Sequence, residues 1–352
     1  MELLTDPRAN QTMIAALKPF GLADKRVPVL LDRSCSEAEL LGFCKAANDG
    51  YVDAMYEALP TELPGDEKRR STVEVKTIKG GDGQDMKLYI FKPDGAKGEL
   101  PGLVYTHGGG MVVVPTDNKL HRAWCHDIAT SGDGMVVVMV DFRNAYDAQA
   151  HKLVPFPAGL NDCVAAVEWV ANHKSELGIS KLVIQGESGG GNLSIATGLK
   201  LKQDGKGNLI DGVYALCPFI SGAYSWSREK LAAELPSLLE FDGYFLSVPS
   251  MDLMVKAYDP EDKHRTNPLA WPYHATEEDL EGSPPHTVVV DELDPLRDEG
   301  LAFARKLNRA GVPAVGKINL GMTHGAPELL RQSLPEIRFS TISDLHGFVS
   351  RL

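Results

Sequence analysis

Ser188 stands in Gly186-Glu187-Ser188-Gly189-Gly190, directly behind the apolar, β-branched run Leu182-Val183-Ile184. That run reads as a buried parallel strand. The residues from Leu193 through Leu199 have the apolar spacing of a packed helix. Between strand and helix, a Gly-x-Ser-x-Gly turn can hold its serine at the tip of a strained elbow, with the hydroxyl exposed for nucleophilic attack. Gly186 and Gly190 let the two elements approach closely, and the Gly189 N–H, at a helix N-terminus, can point at a substrate oxygen. The plainer reading is a glycine-rich turn whose serine only caps the helix, and the motif alone does not separate the two.

Three further stretches bear on that choice. His107-Gly108-Gly109-Gly110 follows the strand-like Leu103-Val104-Tyr105-Thr106. Consecutive glycines leave their N–H groups unhindered, able to cradle an anion. In acyl transfer such donors hold the oxyanion, and losing one costs about 3–4 kcal/mol of barrier. A phosphate-binding turn would continue with Lys-Ser/Thr, whereas Met111-Val112-Val113 stands here. Asp294 sits just past the strand-like His286–Val290, where open α/β sheets place their sites, and a carboxylate there can fix a histidine's tautomer. Asp291, Glu292 and Asp298 are its rivals, with Asp298 expected to cap the next helix and Asp291-Glu292 to face solvent. His324 is the one histidine of ten that follows both the serine and the acid at a strand's end. The chain order Ser188, Asp294, His324 is that of the α/β-hydrolase architecture.

The elements that must carry these residues alternate. Residues 1 to about 60 read as helices, with Asp6-Pro7 opening the first and Ser36 with Glu39 forming a capping box. Thr72–Ile78 and Met86–Phe91 form an antiparallel hairpin across Gly80-Gly81-Asp82-Gly83. Strands at 103–106, 135–140, 182–185, 213–216, 286–290 and 314–320 then alternate with helices near 118–130, 158–176, 193–199 and 298–310, and a last helix runs toward Leu352. Such alternation means βαβ units and a mostly parallel sheet, hence an α/β fold. The pattern breaks after Pro218, where 228–240 and 249–258 look helical. The expected organisation is an N-terminal helical segment over 1–65, a core over 66–218 and 273–352, and a helical insertion over 219–272.

The composition narrows the function classes. The chain has 352 residues, 43% hydrophobic and 24% charged, with a formal net charge of −12. That balance fits a globular protein and argues against nucleic acid or an anionic membrane as partner. No apolar run is long enough to span a bilayer. The N-terminal residues lack the pattern of a signal peptide, and five cysteines without a Cys-x-x-Cys pair speak against a disulfide framework. A reducing cytoplasm is the setting expected. His121 and Cys125 share a helical face at i, i+4, but without a third ligand they read as packing residues, so no metal is expected.

Together these residues resemble the hormone-sensitive-lipase-like branch of the α/β-hydrolases, bacterial carboxylesterases in particular. The resemblance rests on His107-Gly108-Gly109-Gly110, Asp141-Phe142-Arg143 with Phe156-Pro157-Ala158, and Gly186-Glu187-Ser188-Gly189-Gly190. Asp294-Pro295-Leu296-Arg297-Asp298-Glu299 and His324 complete it, over about residues 72–350. It implies an eight-stranded sheet under a helical cap that combines the N-terminal helices with 219–272. It implies the triad Ser188, Asp294 and His324, and an oxyanion hole drawn from Gly108, Gly109, Gly110 and Gly189. The activity implied is cofactor-free hydrolysis of short- to medium-chain or compact carboxylic esters. Lactone, amide or carbamate cleavage would use the same triad, and a non-catalytic receptor of the same fold would ordinarily lack the histidine. The partner expected is a small-molecule ester, and the assembly the resemblance allows is a homodimer. A histidine base must be neutral, which predicts activity falling below about pH 6. The chain departs from the common family elbow at Glu187 and Gly189, where Asp and Ala are usual, and at Met111, where an aromatic residue often stands. Trp226, Phe241, Tyr244, Phe245, Met251 and Trp271 either line an acyl pocket or pack the insertion.

Overall fold

The structure is a computed structural model that describes residues 2–23 and 29–352. The helical expectation for residues 1 and 24–28 lies outside the described residues. Eight strands form one sheet: β1 (Ser71–Lys79), β2 (Asp85–Pro93), β3 (Leu100–Thr106), β4 (Val136–Val140), β5 (Ile179–Glu187), β6 (Gly212–Leu216), β7 (His286–Asp291) and β8 (Ala314–Asn319). Their spatial order is β1-β2-β4-β3-β5-β6-β7-β8. β1 and β2 pair antiparallel, as do β2 and β4, and all the other pairs are parallel. The expected mostly parallel eight-stranded sheet is what forms.

The sheet is covered on both faces, which is why its central strands read as unbroken apolar runs rather than alternating ones. Successive side chains still point to opposite sides. Leu103, Tyr105, Val137 and Met139 pack with Trp124 and Phe348 in one layer. Val104, Val138, Ile184 and Val290 pack in the other. The edge strands are half-wetted: Val73, Val75, Val315 and Ile318 are exposed.

Several sequence expectations shift. The first α-helix starts at Gln11, not behind Asp6-Pro7, because Asn10 accepts from the Thr12 and Met13 N–H groups. Asp6 is drawn away by Arg8 and the Tyr244 hydroxyl. The helix expected over 158–176 divides into Ala158–Asn172 and Lys174–Leu177 at His173, which leaves helical geometry. That expected over 228–240 divides into Arg228–Glu234 and Ser237–Glu240 at Leu235-Pro236, where proline has no N–H to continue the ladder. The Ser36–Glu39 capping box forms and opens the helix Glu37–Tyr51.

Two helical pieces lie over the C-terminal rim of the sheet. Arg33 pairs with Asp252 of the helix Val248–Tyr258 at 3.0 Å and also with Asp262, tying the N-terminal segment to the insertion. Asn48 accepts the Val114 N–H at 3.0 Å, tying the same segment to the loop after β3.

Candidate active site

Parallel register aligns the ends of the strands. Thr106 of β3 stands beside Gly186 of β5, and Glu187 beside Leu216 of β6. Chain leaving β3, β5, β7 and β8 at this rim carries, in turn, the glycine loop, Ser188, Asp294 and His324.

Ser188 has φ 55° and ψ −120°, a conformation that costs a non-glycine residue energy unless its surroundings impose it. They do. Its N–H donates to Leu216 O at 2.9 Å, and its carbonyl accepts from Phe219 and Asn192 at 3.0 and 3.1 Å. A Cβ on Gly186 would lie 2.4 Å from the Gly190 backbone, and one on Gly190 1.9 Å from Thr106 O. Only glycine permits that closeness, and the helix Gly189–Gln203 starts immediately behind the serine.

His324 donates from Nδ1 to Asp294 Oδ2 at 2.7 Å, which leaves Nε2 as the acceptor. Asp294 is fully buried and takes the Leu296 N–H on its other oxygen. Burial pulls the His324 pKa down, but Asp294, with Asp291 and Glu328, outweighs it and raises the value above that of an ordinary histidine. His324 and Ser188 line the same cavity of about 60 Å³.

The rival acids have other work. Asp291 accepts the Gly325 N–H at 3.0 Å and the Asn319 amide at 2.9 Å, anchoring the loop that carries His324. Burial pushes its pKa up to about 7. Glu292 holds the Gly321 N–H at 2.7 Å. Asp298 does not cap the helix Arg297–Arg309, whose N-cap is Leu296. Its carboxylate takes the Ser237 N–H and the Arg297 guanidinium instead. Asp291 is buried, contrary to the expected solvent face, and Glu292 is half-buried.

The glycine loop faces the elbow. Gly109 (φ 100°) and Gly110 (φ 63°) are left-handed, as are Met111 and Val114. A Cβ on Gly109 would meet Val113 O at 2.2 Å. Among the described residues the N–H groups of Gly109, Gly110 and Gly189 have no acceptor. The Gly108 N–H has one: it donates to Glu187 Oε1 at 2.7 Å. That bond occupies the Gly108 N–H and makes Gly108 the loop's anchor. His107, held neutral with a pKa pushed down to about 4 by burial, stacks between His121 and Phe142.

The cavity above the serine is apolar. The N-terminal helices contribute Met55 and Tyr56, and the insertion contributes Phe245, Met251 and Met254. Of the six insertion residues left between pocket and packing, Phe245 and Met251 line it; Trp226, Phe241, Tyr244 and Trp271 do not. Sequence reading missed Glu328, whose only signal is its place four residues after His324. It also treated Glu187 as a mere variation of the elbow. His121 joins these two, rather than Cys125, in a buried cluster.

A profile of the alpha/beta hydrolase fold family matches residues 103–328. The chain is 34% identical to an arylesterase of Saccharolobus solfataricus over 260 residues, covering 70% of this chain and 76% of that one. It is 31% identical to carboxylesterase NlhH of Mycobacterium tuberculosis over 288 residues, 79% and 83% of the two chains. Among solved structures it is similar to brefeldin A esterase, described as a bacterial homologue of human hormone-sensitive lipase. That match has a TM-score of 0.95 and 48% identity, over 99% of this chain and 95% of that one. Esterase Est22 matches with a TM-score of 0.79 and 36% identity, over 99% of both chains. The chain therefore belongs to the α/β-hydrolase family, in the branch that holds bacterial homologues of hormone-sensitive lipase.

Proposed function

We propose that the protein is a serine carboxylesterase in which Ser188 is the nucleophile, His324 the general base and acid, and Asp294 the residue that orients His324. The observation that carries this reading is the 2.7 Å contact from His324 Nδ1 to Asp294. It leaves Nε2 ready to take a proton in the cavity that the strained Ser188 enters. His324 Nε2 removes the Ser188 proton as Oγ attacks the ester carbonyl. The N–H groups of Gly109, Gly110 and Gly189 stabilise the resulting oxyanion. Collapse expels the alcohol, protonated by His324, and leaves an acyl-serine. His324 then deprotonates water, which attacks the acyl carbon and releases the acid with Ser188 regenerated.

The 1–65 and 219–272 segments act as the cap, since Met55 and Tyr56 of one and Phe245, Met251 and Met254 of the other wall the cavity. A pocket of about 60 Å³ favours short- to medium-chain or compact esters. The five free thiols fit a reducing cytoplasm. Treatment with a fluorophosphonate, followed by peptide mapping, tests the assignment. An adduct on Ser188 that is absent in Ser188→Ala is expected. Labelling elsewhere, or none in folded protein, overturns it.

A further inference from the structure

Beneath the glycine loop lies a group of buried side chains that the reaction above does not use. Glu187, Glu328 and His121 each offer an atom within 4.8 Å of the other two, and all three side chains are at least nine-tenths buried. Glu187 Oε1 is saturated, accepting the Gly108 N–H at 2.7 Å and the Tyr105 hydroxyl at 2.8 Å. Glu187 Oε2, Glu328 Oε1 and His121 Nε2 have no partner among the described residues. A cavity of about 10 Å³ lined by Glu187 and Glu328, and on its other side by Asp291, adjoins the pair, about the room one water needs.

Two carboxylates in one buried site cannot both ionise cheaply, so such a pair holds a proton at neutral pH. Burial pushes both upward, Glu328 to about 7 and Glu187 well above the ordinary carboxylate range, with the charge of Glu328 adding to the rise at Glu187. The Arg338 guanidinium, and His324 when it is protonated, favour the ionised form of Glu328. Arg338 itself pairs with Asp127 at 2.6 Å. The proton therefore sits on Glu187. His121 fits this arrangement. Asn118 accepts the His121 N–H through Oδ1 and donates to Pro115 O through Nδ2, so its amide orientation is fixed at both ends. That NH₂ lies 2.7 Å from His121 Nδ1, making Nδ1 an acceptor and placing the ring proton on Nε2. The Thr116 carbonyl, at 3.0 Å, competes for Nδ1; the shorter bond from the doubly fixed amide decides. His121 Nε2–H then faces the carboxyl pair.

We infer that Glu187 and Glu328 act as a single acid, with one proton on Glu187 Oε2 directed at Glu328 Oε1. Through Glu187 Oε1 the pair clamps Gly108 and so aims the Gly109 and Gly110 N–H groups at the oxyanion position. Glu187 and Glu328 are positioning residues, coupling the loop after β3 to the short helix Ala326–Leu329 that follows His324. The kinetic consequence rests on the esterase reading, whereas the shared proton does not.

Infrared spectra of the intact protein at neutral pH, with ¹³C-labelled glutamate, test the proton without reference to activity. A protonated glutamic acid C=O band is expected that vanishes in Glu187→Gln and shifts in Glu328→Gln. No such band in the wild type, or one indifferent to Glu187→Gln, overturns the inference. So does a stoichiometric divalent cation in the purified protein, which would make the three residues ligands instead. Steady-state kinetics on a p-nitrophenyl ester form the second arm. Glu187→Gln keeps the acceptor for Gly108 and a donor toward Glu328, so its kcat stays within about threefold of wild type. Glu187→Ala loses both and drops kcat about 10- to 100-fold with KM nearly unchanged. Equal losses in the two variants, or a loss carried by KM, refute the positioning role. If Glu187→Ala fails to fold, Tyr105→Phe, which removes one donor to the same oxygen, must lower kcat and not KM.

Discussion

Replacing Gly189 with alanine, the residue usual at this point of the related elbow, should damage this protein. A Cβ there would lie 2.4 Å from the Met111 nitrogen and 2.8 Å from Gly110 Cα and C. These are backbone atoms, so no rotamer relieves the overlap. Ordinary contact begins near 3.4 Å, and the loop or the helix must retreat by about 1 Å to reach it. The loop is poorly placed to do so. Met111 O accepts the Ala145 N–H at 2.8 Å, Val112 O accepts from Tyr146 at 3.0 Å, and the Gly108 N–H is held by Glu187.

A displacement of about 1 Å in groups that must meet a transition state costs on the order of 100-fold in rate, or about 2.7 kcal/mol. Helix propensity works the other way, by at most about 1 kcal/mol in a helix interior and less at this first position. The expected result is therefore a kcat lowered roughly 30- to 100-fold, with KM within about threefold and a melting temperature little changed. Hydrolysis of p-nitrophenyl butyrate beside a thermal melt reads all three quantities. A Gly189→Ala variant with kcat within twofold of wild type would mean that the loop does not need its present position, and the donor assignment would fall with it.

Three other outcomes follow from the site and its supports. Because Asp294, Asp291 and Glu328 raise the His324 pKa, the base is lost to protonation earlier than in a free histidine. The acid limb of kcat/KM is then centred above the ordinary value of about 6.5 rather than below pH 6, and Asp294→Asn moves it downward while lowering kcat by about 10⁴. A pH–rate profile flat from 5 to 8 contradicts this. Met254 walls the pocket and meets the position a Gly110 Cβ would occupy, so Met254→Ala raises the hexanoate-to-butyrate ratio of kcat/KM about fivefold; an unchanged ratio places the acyl group elsewhere. Asp127 neutralises the buried Arg331 and Arg338 at 2.7 and 2.6 Å. Asp127→Ala leaves Arg338 without its carboxylate, while Arg331 keeps Asp66 at 2.6 Å, and costs about 3–5 kcal/mol, a fall in melting temperature of roughly 4–7 °C that a thermal scan resolves.

How much of this was legible in the sequence follows from the range of each interaction. β4 through β7 announce themselves because they are covered on both faces, and their apolar runs need no partner to be recognised. Ser188 and the glycine loop are legible for a similar reason: the glycines are dictated by backbone contacts a few ångströms away, such as Gly190 against Thr106. The first helix was misplaced because Asp6 is captured by Arg8, two positions on, and by Tyr244, 238 positions away, which leaves Asn10 as the cap. The choice among Asp291, Glu292, Asp294 and Asp298 could not be made from spacing. All four are acids at one strand end, and only the folded loop shows which oxygen meets His324.

Glu187 illustrates the same limit from the functional side. By sequence it is one methylene longer than the aspartate usual in this elbow, a change that looks conservative. In the fold that length brings its carboxyl to the Gly108 N–H on one side and toward Glu328 on the other. A shorter side chain would reach one of them at the expense of the other. The neighbouring Gly189 is the second departure from the usual elbow, and it too faces the glycine loop, at Met111 and Gly110. The two departures therefore act on one object: the longer acid draws the loop in, and the missing methyl leaves room for it. If that is correct, Glu187→Asp combined with Gly189→Ala should lose less activity than the product of the two single losses, a coupling that a double-mutant cycle on kcat measures directly. Strict additivity would separate the two departures and leave the loop's position to other contacts.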